Sequence, residues 1–307
     1  MFILKVAAAA RFSSLTSSLV ASVYEYPFSS HYLDLDGQRL HYLDEGQGPV
    51  VALLHGNPTW SYMYRRLIPV LAKNHRVIVP DHIGCGLSDK PQKYPYSLWR
   101  HRDNFLRLLR HCDVDGFSLV AHDWGGAIGL AAAVTEPERL GKFVLMNTAA
   151  FPFPRLPKRI ALCRLPWLGE FLVRRLNLFV VAARFMASVK PMPLPAQHAL
   201  ESPYDSWENR IGIARFVEDI PMSPNHPSYQ LLKEIDKLLP GLARKPLLLL
   251  WGGRDFCFNW RFLDEWRKRF PAAASHCLGG AGHYLLEDEP DEAISLITRF
   301  FSEETGP

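Results

Sequence analysis

Asp123 stands in the stretch Val120-Ala121-His122-Asp123-Trp124-Gly125-Gly126, with small residues two positions to either side. That spacing fits a sharp strand-to-helix turn. A strained backbone lifts the central side chain out of the turn, and small neighbours let the helix pack close. A second carboxylate, Asp255, follows Trp251-Gly252-Gly253-Arg254, and His283 ends the run Gly279-Gly280-Ala281-Gly282. Nucleophile, acid and histidine in that chain order are the parts of covalent catalysis. A carboxylate is already ionised at neutral pH and attacks without a base, whereas a hydroxyl needs one. Oriented by Asp255, His283 would then activate water to cleave the resulting ester. An aspartate in this place suits a first step that transfers an alkyl group from an electrophilic carbon.

Two neutral donors accompany the three. Asn57 lies in His55-Gly56-Asn57-Pro58, and Trp124 follows the nucleophile directly. An amide N–H and an indole N–H facing one point suit a leaving group that departs as an anion, where a lysine would pair with Asp123 and blunt it. Plainer readings exist for four of the five: Asp123 as a helix N-cap, Asp255 as a turn residue, His283 and Trp124 as core. The small residues flanking Asp123 and the constellation the residues form together favour the chemical reading.

The elements that must hold them alternate. Tyr32–Leu35 and Leu40–Leu43 flank Asp36-Gly37, a hairpin signal. Apolar runs at Val50–Leu54, Val77–Pro80, Leu119–Ala121, Phe143–Met146 and Leu247–Trp251 end in His55, Asp81, Asp123, Asn147 and Gly252. Runs without alternation mark strands buried on both faces. Helical stretches such as Leu98–Leu109 and Phe262–Phe270 lie between them. The class is α/β, a mostly parallel doubly wound sheet with an antiparallel start. Ligands of such sheets bind at the carboxyl ends of the strands, so these residues converge although distant in sequence. The pattern implies a core of residues 31–150 and 229–307, interrupted by a helical cap over 151–228.

A chain of 307 residues with 48% hydrophobic and 21% charged residues is long enough for a sizeable core. A net charge of +4 gives no case for nucleic acid. Five cysteines, an odd number without a C-x-x-C pair, argue against a disulfide framework or zinc site and for a reducing, cytoplasmic setting, with the cysteines as small buried residues. No metal or organic cofactor is implied by any motif. No apolar run reaches the roughly 18–20 residues of a membrane span. Residues 1–30 read as an extension outside the fold. Its first part carries Lys5 and Arg11 and no acid, and Val20-Ala21-Ser22 offers small residues, so targeting or surface anchoring is the alternative. From Phe151 to Lys190 there are eight basic residues and one acid, Glu170, interleaved with Leu168, Phe171, Leu172, Leu176, Leu178, Phe179, Val180, Val181 and Phe185. That composition predicts an apolar cap lining with a basic outer face, over a hydrophobic small-molecule substrate. The basic face, or the extension, is a place for a membrane surface, an acidic partner or a second copy to dock.

His55-Gly56-Asn57-Pro58-Thr59-Trp60 and His122-Asp123-Trp124-Gly125-Gly126, taken as a pair, resemble the haloalkane dehalogenase family of α/β-hydrolases, over residues from about 31 to 302. The resemblance implies the α/β-hydrolase fold, Asp123 as nucleophile, His283 as base, Asp255 as acid, and Asn57 with Trp124 as the halide-binding pair. Some members place the acid as a glutamate after the earlier strand; here Leu145-Met146-Asn147-Thr148 has no carboxylate, which favours Asp255. Further segments, among them Asn147–Pro152, Pro203–Arg210 and Asp219-Ile220-Pro221, are similar to a narrower group. It contains third-subfamily dehalogenases and the β-lactone decarboxylases of bacterial long-chain olefin synthesis, which share the five residues. The implied reaction is displacement of halide from an sp3 carbon to give alcohol and halide ion. Opening and decarboxylation of a β-lactone is the alternative. Epoxide hydrolysis is a further one; it expects an aromatic residue in the place of Asn57 and two cap tyrosines, and although Tyr204 and Tyr229 exist, Asn57 argues against it.

Overall fold

The computed structural model describes residues 23–303. Its centre is an eight-stranded sheet in the order β1-β2-β4-β3-β5-β6-β7-β8. The strands are β1 (His31–Leu35), β2 (Gln38–Glu45), β3 (Val50–Leu54), β4 (Arg76–Pro80), β5 (Phe117–His122), β6 (Leu140–Met146), β7 (Leu247–Gly252) and β8 (Ala274–Leu278). β2 pairs antiparallel with β1 and β4, and every later pairing is parallel. The β1–β2 hairpin turns at Asp36-Gly37, both with positive φ (59° and 85°), as a two-residue hairpin turn requires. The apolar runs form β3 to β7 because helices cover both faces of the sheet there. β8 lies at the edge and is largely exposed, which is why Ala274-Ser275-His276-Cys277-Leu278 carries no apolar run.

The main helices are α1 (Leu98–His111), α2 (Trp124–Ala133), α3 (Lys158–Cys163), α4 (Leu178–Met186), α5 (Ile211–Glu218), α6 (Pro227–Leu238), α7 (Trp260–Arg269) and α8 (Pro290–Ser302). Ser97 caps α1 by accepting from the Arg100 N–H at 3.3 Å. α2 is buried almost throughout against β3, β5 and α1, so its sequence shows no polar face. Between β6 and β7 the chain forms helices and turns only. α6 packs on α1 and α2. The boundary expected between residues 228 and 229 therefore falls inside one continuous helix that starts at Pro227.

Residues 1–22, and with them the expectation of targeting or anchoring, lie outside the described residues. The extension expected to end at residue 30 ends earlier, because Tyr26 belongs to the core. Its hydroxyl meets Ser61 Oγ at 2.5 Å and its ring lies 5.0 Å from that of Trp60. A lone aromatic gives no periodic signal, so this docking was not legible. All five cysteines are free, and Cys277 on the edge strand is exposed rather than buried. Among the described residues, no helix is long and apolar enough to cross a membrane, and no cluster of side chains could hold a metal.

Candidate active site

The turn after β5 places Asp123 at φ 52°, ψ −125°, a conformation that bulky residues rarely adopt. Close packing fixes it: a Cβ on Gly125 would overlap the Leu54 carbonyl, so only glycine lets α2 approach β3. Asp123 Oδ1 accepts from the Asn57 backbone N–H at 2.8 Å, and the Trp124 backbone N–H supports the same carboxylate. Oδ2 is left facing His283 Nε2 at 3.8 Å. One oxygen is thus anchored and the other is presented. Burial raises the Asp123 pKa above the ordinary 3.8, against the opposing pull of His283 and the two N–H donors.

His283 and Asp255 come together as expected, with Nδ1 2.7 Å from Asp255 Oδ2. A carboxylate only accepts, so Nδ1 carries the proton and Nε2 is the nitrogen turned to Asp123. Burial works against the charged form of His283, but the Asp255 carboxylate, the hydrogen bond to it and nearby Asp123 outweigh burial and raise the pKa above 6.5. His122 lies beneath, its ring 4.4 Å from that of His283 and its Nε2 2.9 Å from the His283 carbonyl. Burial drives its own pKa well below 6.5, so this second ring stays neutral.

One positioning residue escaped the sequence reading. Asn147, at the end of β6 with φ 37°, donates from Nδ2 to Asp255 Oδ2 at 2.9 Å and accepts the Gly252 N–H on Oδ1 at 2.7 Å. Cys257 N–H donates to Asp255 Oδ1 at 2.6 Å. Its place at the end of a buried strand is legible in the sequence; its role in holding Asp255 is not.

Asn57 and Trp124 both line the cavity beside Asp123 and His283. The Asn57 side chain is partly committed: Nδ2 donates to the Ile213 carbonyl of α5 at 3.2 Å, and Oδ1 is buried without a partner. An amide nitrogen has two hydrogens, so one remains for a ligand. Phe216 of α5 packs on Trp124 at 5.3 Å. Tyr204 and Tyr229 do not line the cavity; the Tyr204 hydroxyl meets the Thr59 carbonyl and the Gly86 N–H, each at 3.2 Å. The cavity, of about 390 Å³, is walled mainly by apolar side chains from the 151–187 segment, Ile220–Met222 and Phe256–Phe262. Of the apolar residues expected to line it from the cap, Leu172, Leu178 and Phe179 do. Leu168, Phe171, Leu176 and Phe185 are instead exposed.

A sequence profile describing the alpha/beta hydrolase fold matches residues 49–290. The chain is 44% identical over 284 residues to a cis-3-alkyl-4-alkyloxetan-2-one decarboxylase of Shewanella oneidensis, covering 90% of this chain and 89% of that protein. It is 32% identical over 285 residues to haloalkane dehalogenase 2 of Mycobacterium tuberculosis, covering 90% and 96%. Among solved structures, the haloalkane dehalogenase DbeA of Bradyrhizobium elkani matches with TM-score 0.82 at 27% identity, covering 89% and 98%.

Proposed function

The chain belongs to the alpha/beta hydrolase family, an enzyme family whose members similar to it include decarboxylases and haloalkane dehalogenases, and from that premise we propose that it decarboxylates β-lactones carrying two alkyl chains. The observation that carries this reading is its likeness to named β-lactone decarboxylases, at 44% and 40% identity across nine-tenths of the chain, against 32% for dehalogenases. The apolar cavity, with Asn57, Asp123, Trp124 and His283 among its lining, suits a ring with two hydrocarbon arms.

In this reading Asp123 Oδ2 attacks the ring carbon that bears the lactone oxygen. A carbon–oxygen bond to Asp123 forms, the ring carbon–oxygen bond breaks, and the electron pair stays on the freed carboxylate. The Asn57 amide and the Trp124 indole take that carboxylate, as they would a halide. The bond from that carboxylate to the chain then breaks. Its electrons form the alkene, the bond to Asp123 breaks, CO2 leaves, and the Asp123 carboxylate is restored. Charged His283, held by Asp255, stabilises Asp123 as it departs. No water enters.

Halide displacement is the second reading. It is favoured by the Asn57 and Trp124 pair and by the dehalogenase structures, and it requires His283 to act as a base on water. The two reactions differ in where oxygen goes. Multiple turnovers in 18O-labelled water, followed by mass analysis of the peptide containing Asp123, tests the proposal. Lactone turnover is expected to leave Asp123 unlabelled while alkene accumulates. Label in Asp123 with a hydroxy acid as product would overturn it.

A further inference from the structure

We infer that the 155–185 face docks on an anionic lipid bilayer and that the active-site cavity opens onto that bilayer. Trp167 is 90% exposed on a left-handed backbone (φ 64°), and Phe185 and Phe171 are 69% and 50% exposed. Leu162, Leu165, Leu168, Leu176 and Leu178 are exposed beside them. These residues sit on α3, on the packed turns of 168–175 and on α4, so they form one face. A large exposed apolar patch marks an interaction surface rather than ordinary solvent-facing protein.

Charge selects the occupant. Of the eight cations between Phe151 and Lys190, Arg174, Arg184 and Lys190 pair with Glu170, Glu201 and Glu289. Arg155, Lys158, Arg159, Arg164 and Arg175 form no ion pair with any described residue. An isologous contact with a second copy would set the same cations against one another. An anionic headgroup layer complements them, and an exposed tryptophan among leucines suits the layer below.

The cavity and this face are continuous. Leu162 and Leu178 are exposed and also line the cavity, as do Arg155 and Arg159 at its rim. Resting on the lactone reading, the consequence is that a water-insoluble substrate passes from bilayer to Asp123, and an alkene returns, along apolar surface.

The test is co-sedimentation of the full chain with phosphatidylglycerol–phosphatidylethanolamine vesicles and with phosphatidylcholine vesicles. The variants are Trp167→Ser/Phe171→Ser and Lys158→Glu/Arg175→Glu, none of which touches the cavity. The expected result is binding to the anionic vesicles, weakened roughly tenfold or more by either double variant, with turnover of a water-soluble short-chain lactone or bromoalkane unchanged. Every variant retains residues 1–22, so equal binding by wild type and variants would assign lipid affinity elsewhere and overturn the inference. Absence of binding would also overturn it. So would a concentration-dependent dimer that the Trp167→Ser/Phe171→Ser variant abolishes. Vesicle binding is read without substrate, so a failure of the lactone reading leaves this test interpretable.

Discussion

Asn147 Nδ2 lies 2.9 Å from Asp255 Oδ2, so the end of β6 holds the carboxylate that follows β7. The same side chain accepts the Gly252 N–H at 2.7 Å and thereby fixes the start of the loop that carries Asp255. One amide ties two adjacent strand ends to the histidine they serve. Asn147→Ala removes both bonds and leaves a buried N–H unsatisfied, at a cost of about 1–3 kcal/mol in stability. A lowered melting temperature and a roughly tenfold drop in kcat are expected, of the size that one lost charge-assisted hydrogen bond gives. Full activity in thermal and kinetic assays would mean that Asp255 needs no such anchor.

Gly56 packs its Cα hydrogen against Asp123. A Cβ there would overlap the Cβ and Oδ1 of Asp123. Gly56→Ala is therefore expected to displace Asp123 and lower kcat/KM by about a hundredfold or more, as misplacement by about 1 Å does. Circular dichroism and kinetics on the same preparation separate this from misfolding.

The role of His283 differs between the two reactions. With a bromoalkane, His283→Gln should release about one equivalent of halide per enzyme and stall, leaving an alkyl ester on Asp123 that mass spectrometry detects. With a β-lactone the same variant should turn over repeatedly, only more slowly. A stall on lactone as well would assign His283 an obligatory base role.

The pH dependence carries the same distinction. Both proposed reactions require Asp123 ionised, and burial raises its pKa above 3.8, so activity is expected to be lost as pH falls through that raised value. His283 titrates above 6.5. Decarboxylation uses its charged form, so kcat for lactone is level between the Asp123 and His283 pKa values and declines as pH rises past that of His283. Halide displacement needs the neutral base, so kcat for bromoalkane climbs over the same range. Profiles of kcat from pH 4 to 9 on both substrates check this.

Asp219, after α5, accepts from Ser228 Oγ at 2.7 Å and from the Leu98 N–H at 2.8 Å, joining α6 to the start of α1. Burial pushes its pKa up from 3.8 to about 6. The native state thus holds this proton more tightly than the unfolded chain does. The contribution to stability is full below pH 3.8 and is lost as pH rises through about 6. Asp219→Asn should match wild type at pH 4 and exceed it by about 1–3 kcal/mol at pH 8 in denaturant titrations.

Much of this was legible because buried parallel strands and a strained turn write strong local signals. The five apolar runs became β3 to β7, and the spacing around Asp123 became the turn that presents it. β8 was not legible, since an edge strand has no face to fill with apolar residues. Tyr26 was not, since its docking depends on Trp60 and Ser61 from elsewhere in the chain. Asn147 needed the adjacency of β6 and β7, which only the sheet order supplies. The apolar residues of 168–185 showed where hydrocarbon is, not which way it faces. Leu172 turned inward, whereas Phe171 and Phe185 turned out.

Whether Asp123 opens the lactone is read by supplying a cis-3,4-dialkyl β-lactone to wild type and to Asp123→Asn, with alkene, CO2 and hydroxy acid measured together. Attack by Asp123 inverts the ring carbon and sets its new bond opposite the freed carboxylate. Loss of both groups from that arrangement returns a cis alkene. Wild type is expected to give cis alkene and CO2 in equal amounts, and Asp123→Asn neither. Hydroxy acid from wild type, or alkene from Asp123→Asn, would contradict it.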